Sequence, residues 1–157
     1  MTQWKSPWRY GGPWYGNDVQ RARFERGAKR HFPTLTGVTR TSGTKAGRSY
    51  KVVIAVPYYE PRHTEILFPK RRPSIPKITA DGPTDSPHRY DTYQLCIWCP
   101  GDPDEHRWTL EDGLLVLLGL IALHLFREAW WRETGEWPGP EAGHPRVEAS
   151  PVRAGVP

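Results

Sequence analysis

Cysteine is scarce in this chain of 157 residues: only Cys96 and Cys99, three positions apart, carry a thiol. A pair so close cannot staple distant parts of a fold together. A disulfide scaffold is therefore excluded, and a reducing compartment is implied. Hydrophobic residues make up 37% of the chain, low for a globular protein, so the core must come from a few well-patterned elements. Acidic residues are nearly missing from the first half. Residues 1–80 hold 16 Lys/Arg against 4 Asp/Glu, a balance of +12, whereas residues 81–157 hold 6 against 13, a balance of −7. The opening Met1-Thr2-Gln3-Trp4-Lys5 lacks the apolar run of a secretory signal. The longest apolar stretch, Leu114 to Phe126, falls short of the roughly 18–20 residues that span a bilayer. The expectation is a cytoplasmic protein with no membrane span.

Proline (17) and glycine (15) are plentiful, and they divide the chain into short elements. Residues 1–16 mix Trp4, Trp8, Tyr10, Trp14 and Tyr15 with Gly11-Gly12-Pro13, which reads as an aromatic strap laid across a domain rather than a regular element. Asn17 or Asp18 can cap a helix to about His31, basic on its surface, with Phe24 and Ala28 as its apolar stripe. Three strands are predicted next, at Leu35 to Arg40, Tyr50 to Val56 and Arg62 to Phe68. Short turn-bounded connections make them an antiparallel meander. The segment Pro69 to Ile78 is interrupted by Pro73 and Pro76, so it can only be an extended crossing strand or a loop. Thr109 and Asp112 form an approximate capping box for a helix running to about Thr134, closed by Gly135. That helix is apolar nearly all round, so it reads as the buried centre of the fold, with His124 as a core or groove histidine. The domain is expected over residues 17–145, followed by a disordered tail at 146–157.

The cysteines sit in His88-Arg89-Tyr90-Asp91-Thr92-Tyr93-Gln94-Leu95-Cys96-Ile97-Trp98-Cys99-Pro100, where Leu95 to Trp98 reads as a short strand. Several chemistries compete for them. Zinc would need four ligands, and His88 and His106 flank the pair, but in an extended segment positions i and i+3 point to opposite faces. A redox pair needs the first thiol at a helix N-terminus, and Pro100-Gly101-Asp102-Pro103 forbids one there. Two buried, inert thiols remain an alternative. The last reading is nucleophilic attack by Cys96, with His88, Arg89 and His106 available for positive charge and the backbone N–H groups of Tyr90 to Tyr93 for an oxyanion. No cofactor and no metal is called for.

The order of these segments resembles the ubiquitin-conjugating fold, an α+β architecture, and in particular the stand-alone bacterial members associated with CBASS antiphage operons. The matching pieces are Arg72-Pro73-Ser74-Ile75-Pro76-Lys77-Ile78, then His88, Leu95-Cys96-Ile97 and Trp108. The run Trp130-Trp131-Arg132-Glu133-Thr134-Gly135-Glu136-Trp137-Pro138-Gly139 is similar to a W-x-x-T-G-E-W-x-G segment of that group, and His144-Pro145 to the ending that follows it. The resemblance implies an N-terminal helix, a four-stranded meander, a cysteine-bearing segment and a long C-terminal helix. It implies that Cys96 forms a thioester and that His88 stands where the family has the His of its H-P-N motif, here followed by Arg89-Tyr90. Tyr90, His106 and His144 are supporting candidates; no role carries over to Cys99. The implied partner is a cGAS/DncV-like nucleotidyltransferase whose C-terminus is the acyl group. Two other classes stay open: a catalytically silent binding module of the same fold, and a nucleic-acid-binding protein using the basic half.

Overall fold

The computed structural model describes residues 13–90, 93–98 and 107–139. Helix α1 spans Asp18–His31, strands β1 to β4 span Thr36–Arg40, Gly47–Ile54, Arg62–Pro69 and Lys77–Ala80, and helix α2 spans Gly113–Thr134. Asn17 supplies the cap of α1, its side-chain oxygen accepting from the amides of Val19 and Gln20, which satisfies two donors that the first helical turn leaves open. Ala28 is buried and Phe24 half-buried, as their spacing predicts.

The four strands form one antiparallel sheet in the order β1-β2-β3-β4. Register follows from alternation. Tyr50, Val52 and Ile54 point inward opposite Ile66, Thr64 and Arg62, and the β3–β4 pairing sets Ile66 against Ile78 and Thr64 against Ala80. The alternate residues, including Lys51, Val53 and His63, face out. β2 begins earlier than the sequence suggests, because Gly47 has a φ of +130° and carries the chain into the sheet. A Cβ there would lie 2.0 Å from the carbonyl oxygen of Phe68, so this position accepts only glycine. The proline-punctuated segment resolves into tight turns after Pro69, followed by β4, which starts just past Pro76, where amide hydrogens become available again.

The core lies between the inner sheet face and the helices. Trp14 is fully buried, with its ring 5.2 Å from Phe24, 5.7 Å from Phe68 and 6.1 Å from Tyr50 between centroids. Phe68 in turn meets Trp108 at 5.7 Å. Thr109 and Asp112 do form the capping box, but around a 3-10 turn at Leu110–Asp112, and α2 proper begins at Gly113. Trp108 closes this junction by donating its indole N–H to the Gly113 carbonyl at 2.8 Å. At the other end Gly135, with φ +77°, returns its amide to Trp131, ending the helix where the left-handed conformation is needed.

α2 is less uniform than its composition. Leu114, Leu117, Leu118, Ile121, Leu125 and Ala129 are buried, while Leu115, Val116, Leu123, Phe126 and Trp130 are exposed on the opposite side. By length and composition the stretch Leu110–Thr134 is apolar enough to cross a membrane, more than the apolar run alone suggests. Half of its apolar window is buried inside the domain, which is the behaviour of a core helix.

Candidate active site

Residues 93–95 run along the free edge of β4. Leu95 donates its amide to the Ile78 carbonyl at 2.9 Å, and the Tyr93 carbonyl accepts from Ala80 at 3.0 Å. The chain folds back on itself through Tyr90 N–H to Gln94 O (3.0 Å) and Cys96 N–H to His88 O (2.8 Å). The strand expected at Leu95 to Trp98 is therefore not a strand of the sheet. It is held by two isolated bridges, Thr79 with Gln94 and Arg89 with Leu95, because the ladder stops as soon as the chain turns back. This turn is what brings His88 beside Cys96 in register, eight residues apart in sequence.

Cys96 is buried, at 5% exposure, flanked by buried Leu95 and Trp98. Nucleophilic attack needs this thiol within reach of an acyl donor, and here it is shielded, as the alternative of a buried thiol expects. A narrow cleft of about 50 Å³ lined by Ile78, Tyr90, Leu95, Ile97 and Trp98 lies alongside. The amide of Tyr90 is committed to Gln94, so it is not a donor for an oxyanion, and the Tyr90 side chain is exposed. Cys99, His106 and His144 lie outside the described residues, as do Asp91 and Thr92 among the expected amide donors. Among the described residues, no group of three His, Cys, Asp or Glu side chains could hold a metal.

His88 is buried, and its ring packs on Trp137 with centroids 4.2 Å apart. Trp137 also meets His124 on α2 at 5.3 Å, so the Thr134-Gly135-Glu136-Trp137 run closes over both histidines. Burial pushes the His124 imidazole down to about 3, although the Glu128 carboxylate nearby pulls the other way. The folded ring is thus neutral near pH 7. The unfolded chain takes up a proton on this residue near pH 6.5, the folded protein only near pH 3. Between those values protons favour the unfolded state, and stability is lost as pH falls. Urea midpoints at pH 7, 5.5 and 4 should fall steadily for the wild type and less steeply for His124→Gln; equal slopes would contradict this assignment.

Sequence reasoning missed a connected group of buried charges. The guanidinium of Arg89, its side chain fully buried, donates to both carboxylate oxygens of Glu128 at 2.8 and 2.9 Å, and to the carbonyls of Ala80 (2.7 Å) and Asp81 (3.0 Å). Glu128 also accepts from Arg132 at 3.0 Å, and Arg132 reaches the Pro83 carbonyl and Asp85. Burial alone would raise the Glu128 carboxyl, but hydrogen bonds and charge from Arg89, then from Arg132, outweigh it and hold it below the usual range. Arg89 was expected to lend positive charge to the thiol; its charge is spent on Glu128 instead. The legible signal was Glu128 itself, an acid seven residues after Ile121 on the buried face of α2.

A helix before a four-stranded meander, an edge segment in which the backbone amide of Cys96 pairs with the His88 carbonyl, and a long helix behind it together define a ubiquitin-conjugating-like α+β domain. A family model described as Type II CBASS E2 protein matches residues 16–145. The chain belongs to that family, and its role lies in CBASS antiphage signalling. Neither the curated proteins nor the solved structures contain a match to the chain.

Proposed function

We propose that the chain is a conjugating enzyme that carries an acyl group on Cys96. The acyl group is the C-terminal carboxyl of a cGAS/DncV-like nucleotidyltransferase, delivered already activated as a thioester or an acyl adenylate. The Cys96 thiolate adds to the activated carbonyl, a C–S bond forms, and a thiol or AMP leaves. An amine then attacks, its nitrogen loses a proton, and the Cys96 thiolate departs as the amide forms. His88 orients the cysteine segment through its carbonyl, and His106 and His144 are candidates to assist at the reacting atoms. Conjugation of the nucleotidyltransferase in this way tunes its signalling during antiphage defence, inside the cell.

The observation that carries this reading is the family match over a span that includes Cys96, supported by the backbone pairing that sets Cys96 beside His88. The test is intact-mass analysis after co-expression with a cGAS/DncV-like nucleotidyltransferase. Wild type should form a covalent adduct released by excess thiol. Cys96→Ala should form none, and Cys96→Ser should form none or an ester that thiol does not release. An adduct in the Ala variant at the wild-type level would remove Cys96 from the chemistry.

A further inference from the structure

Helix α2 carries an apolar face that the core of the domain does not use. Half of its apolar window stays outside the core, and Leu115, Val116, Leu123, Phe126 and Trp130 are each 39–49% exposed. At the helical turn angle of about 100° per residue, all five lie within about 60° of the direction of Gly119. Glu128, the partner of Arg89, comes nine positions after Gly119 and so falls on the far side of the helix. The apolar residues thus form one strip, opposite the side that holds Arg89. From Gly113 to Phe126 the helix has no Asp, Glu, Lys or Arg. A contiguous exposed strip of this kind marks an interaction surface.

Gly119 stands at its centre. A Cβ there would meet no atom within 4 Å, so nothing inside the chain excludes a side chain. Glycine weakens a helix interior relative to alanine, and it is useful where a second backbone comes close. The i, i+4 row through this glycine reads Glu111, Leu115, Gly119, Leu123, Arg127, with Glu111 in the turn that leads into α2. Such rows interdigitate in the commonest class of helix–helix packing. Laid antiparallel on a copy of itself about Gly119, the row sets Leu115 against Leu123 and Glu111 against Arg127, each pairing made twice. Among the described residues neither Glu111 nor Arg127 has an ion pair within the chain.

We propose that this face is a self-association surface, on which two copies of the chain pack their α2 helices antiparallel about a two-fold axis at Gly119. A two-fold contact requires one patch to complement itself, and this row does so in shape and in charge. A bilayer would accept the apolar strip, but has no use for a central glycine or for opposite charges at the two ends. The contact leaves the Arg89 side of α2 free and does not depend on what Cys96 does. A single helix pair is a small interface, so the dimer should dissociate in the range of roughly 1–100 μM.

Sedimentation equilibrium of the full chain across that range tests the proposal, with the fold of each variant checked by circular dichroism. Wild type should pass from monomer to dimer. Gly119→Arg, which enters open space in the monomer, and Leu123→Glu should each raise the dissociation constant at least tenfold. Glu111→Arg sets like charges together and should raise it at least threefold. Adding Arg127→Glu to that variant restores opposite charges and should return the constant to within twofold of wild type. A wild type that stays monomeric throughout would overturn the proposal, whether or not it binds phosphatidylcholine vesicles or a nucleotidyltransferase through this face. So would a dimer that Gly119→Arg and Leu123→Glu leave unchanged, or a double charge exchange that associates no more tightly than Glu111→Arg alone.

Discussion

Replacing Arg89 by Ala should cost about 3–5 kcal/mol of folding stability, because it strips one partner from a fully buried ion pair. Among the described residues Glu128 would keep one guanidinium donor, Arg132 at 3.0 Å, and the carbonyls of Ala80 and Asp81 would lose the N–H groups that Arg89 gives them. Domains of this size are stable by about 5–15 kcal/mol, so the loss would take a large share of the total. Urea unfolding followed by circular dichroism would measure it. The physical origin can be separated from simple loss of packing by a second variant. Arg89→Met combined with Glu128→Leu removes both charges and restores apolar volume, so it should lose clearly less than Arg89→Ala alone. A cost below about 1 kcal/mol for Arg89→Ala, the value of an exposed pair, would show that water reaches this site in solution.

The second large effect is expected at Trp14. Its side chain is fully buried and touches rings from three directions: Phe24 on α1, and Tyr50 and Phe68 on the sheet. Truncation to Ala would leave a cavity that the sheet cannot close without breaking its register, at a cost of about 3–5 kcal/mol. Trp14→Phe should lose much less, since it keeps an aromatic body in the same space. Equal losses for the two variants would mean that the indole fits no better than any ring. The consequence for function is that Trp14, just before α1, belongs to the core that supports the sheet, and so indirectly β4 and the segment carrying Cys96.

The elements that could be read directly were those whose signals are local. Asn17 announces α1 because a side-chain oxygen next to open amides is a cap wherever it occurs. β3 follows from strict alternation of Thr64, Ile66 and Phe68 with His63, Glu65 and Leu67, since one sheet face is buried. β4 was half-hidden because Pro73 and Pro76 mask where the ladder restarts. The segment after it misled in the opposite direction: Leu95, Cys96, Ile97 and Trp98 have strand-like composition, yet the turn that pairs Cys96 with His88 ends the ladder. Arg89 and Glu128 were invisible as a pair, since residues 39 positions apart give no local signal and single Arg and Glu residues are usually solvated. His88 and Cys96 came from the order of segments, and their adjacency required the fold. The burial of Cys96 was not legible at all, because an apolar neighbourhood in sequence describes a reactive thiol at a cleft and an inert one in a core equally well.

The acid side of the stability curve connects these observations to conditions. Glu128 is held below the ordinary carboxylate range, so its contribution is present above that range and fades as pH falls through its folded value. His124 acts in the same direction from a higher starting pH. Glu128 binds Arg89 and the His124 ring lies 6.4 Å from that of His88, so both groups adjoin the segment leading to Cys96.

The proposal that one particular sulfur takes up the acyl group is tested most directly by mapping the adduct. Proteolysis of the wild-type adduct at mildly acidic pH, followed by fragmentation of the peptide containing Cys96 and Cys99, locates the acyl group to a single side chain. The account predicts it on Cys96, released by excess thiol. An acyl group found on Cys99, or on a lysine with Cys96 still alkylatable, would contradict it.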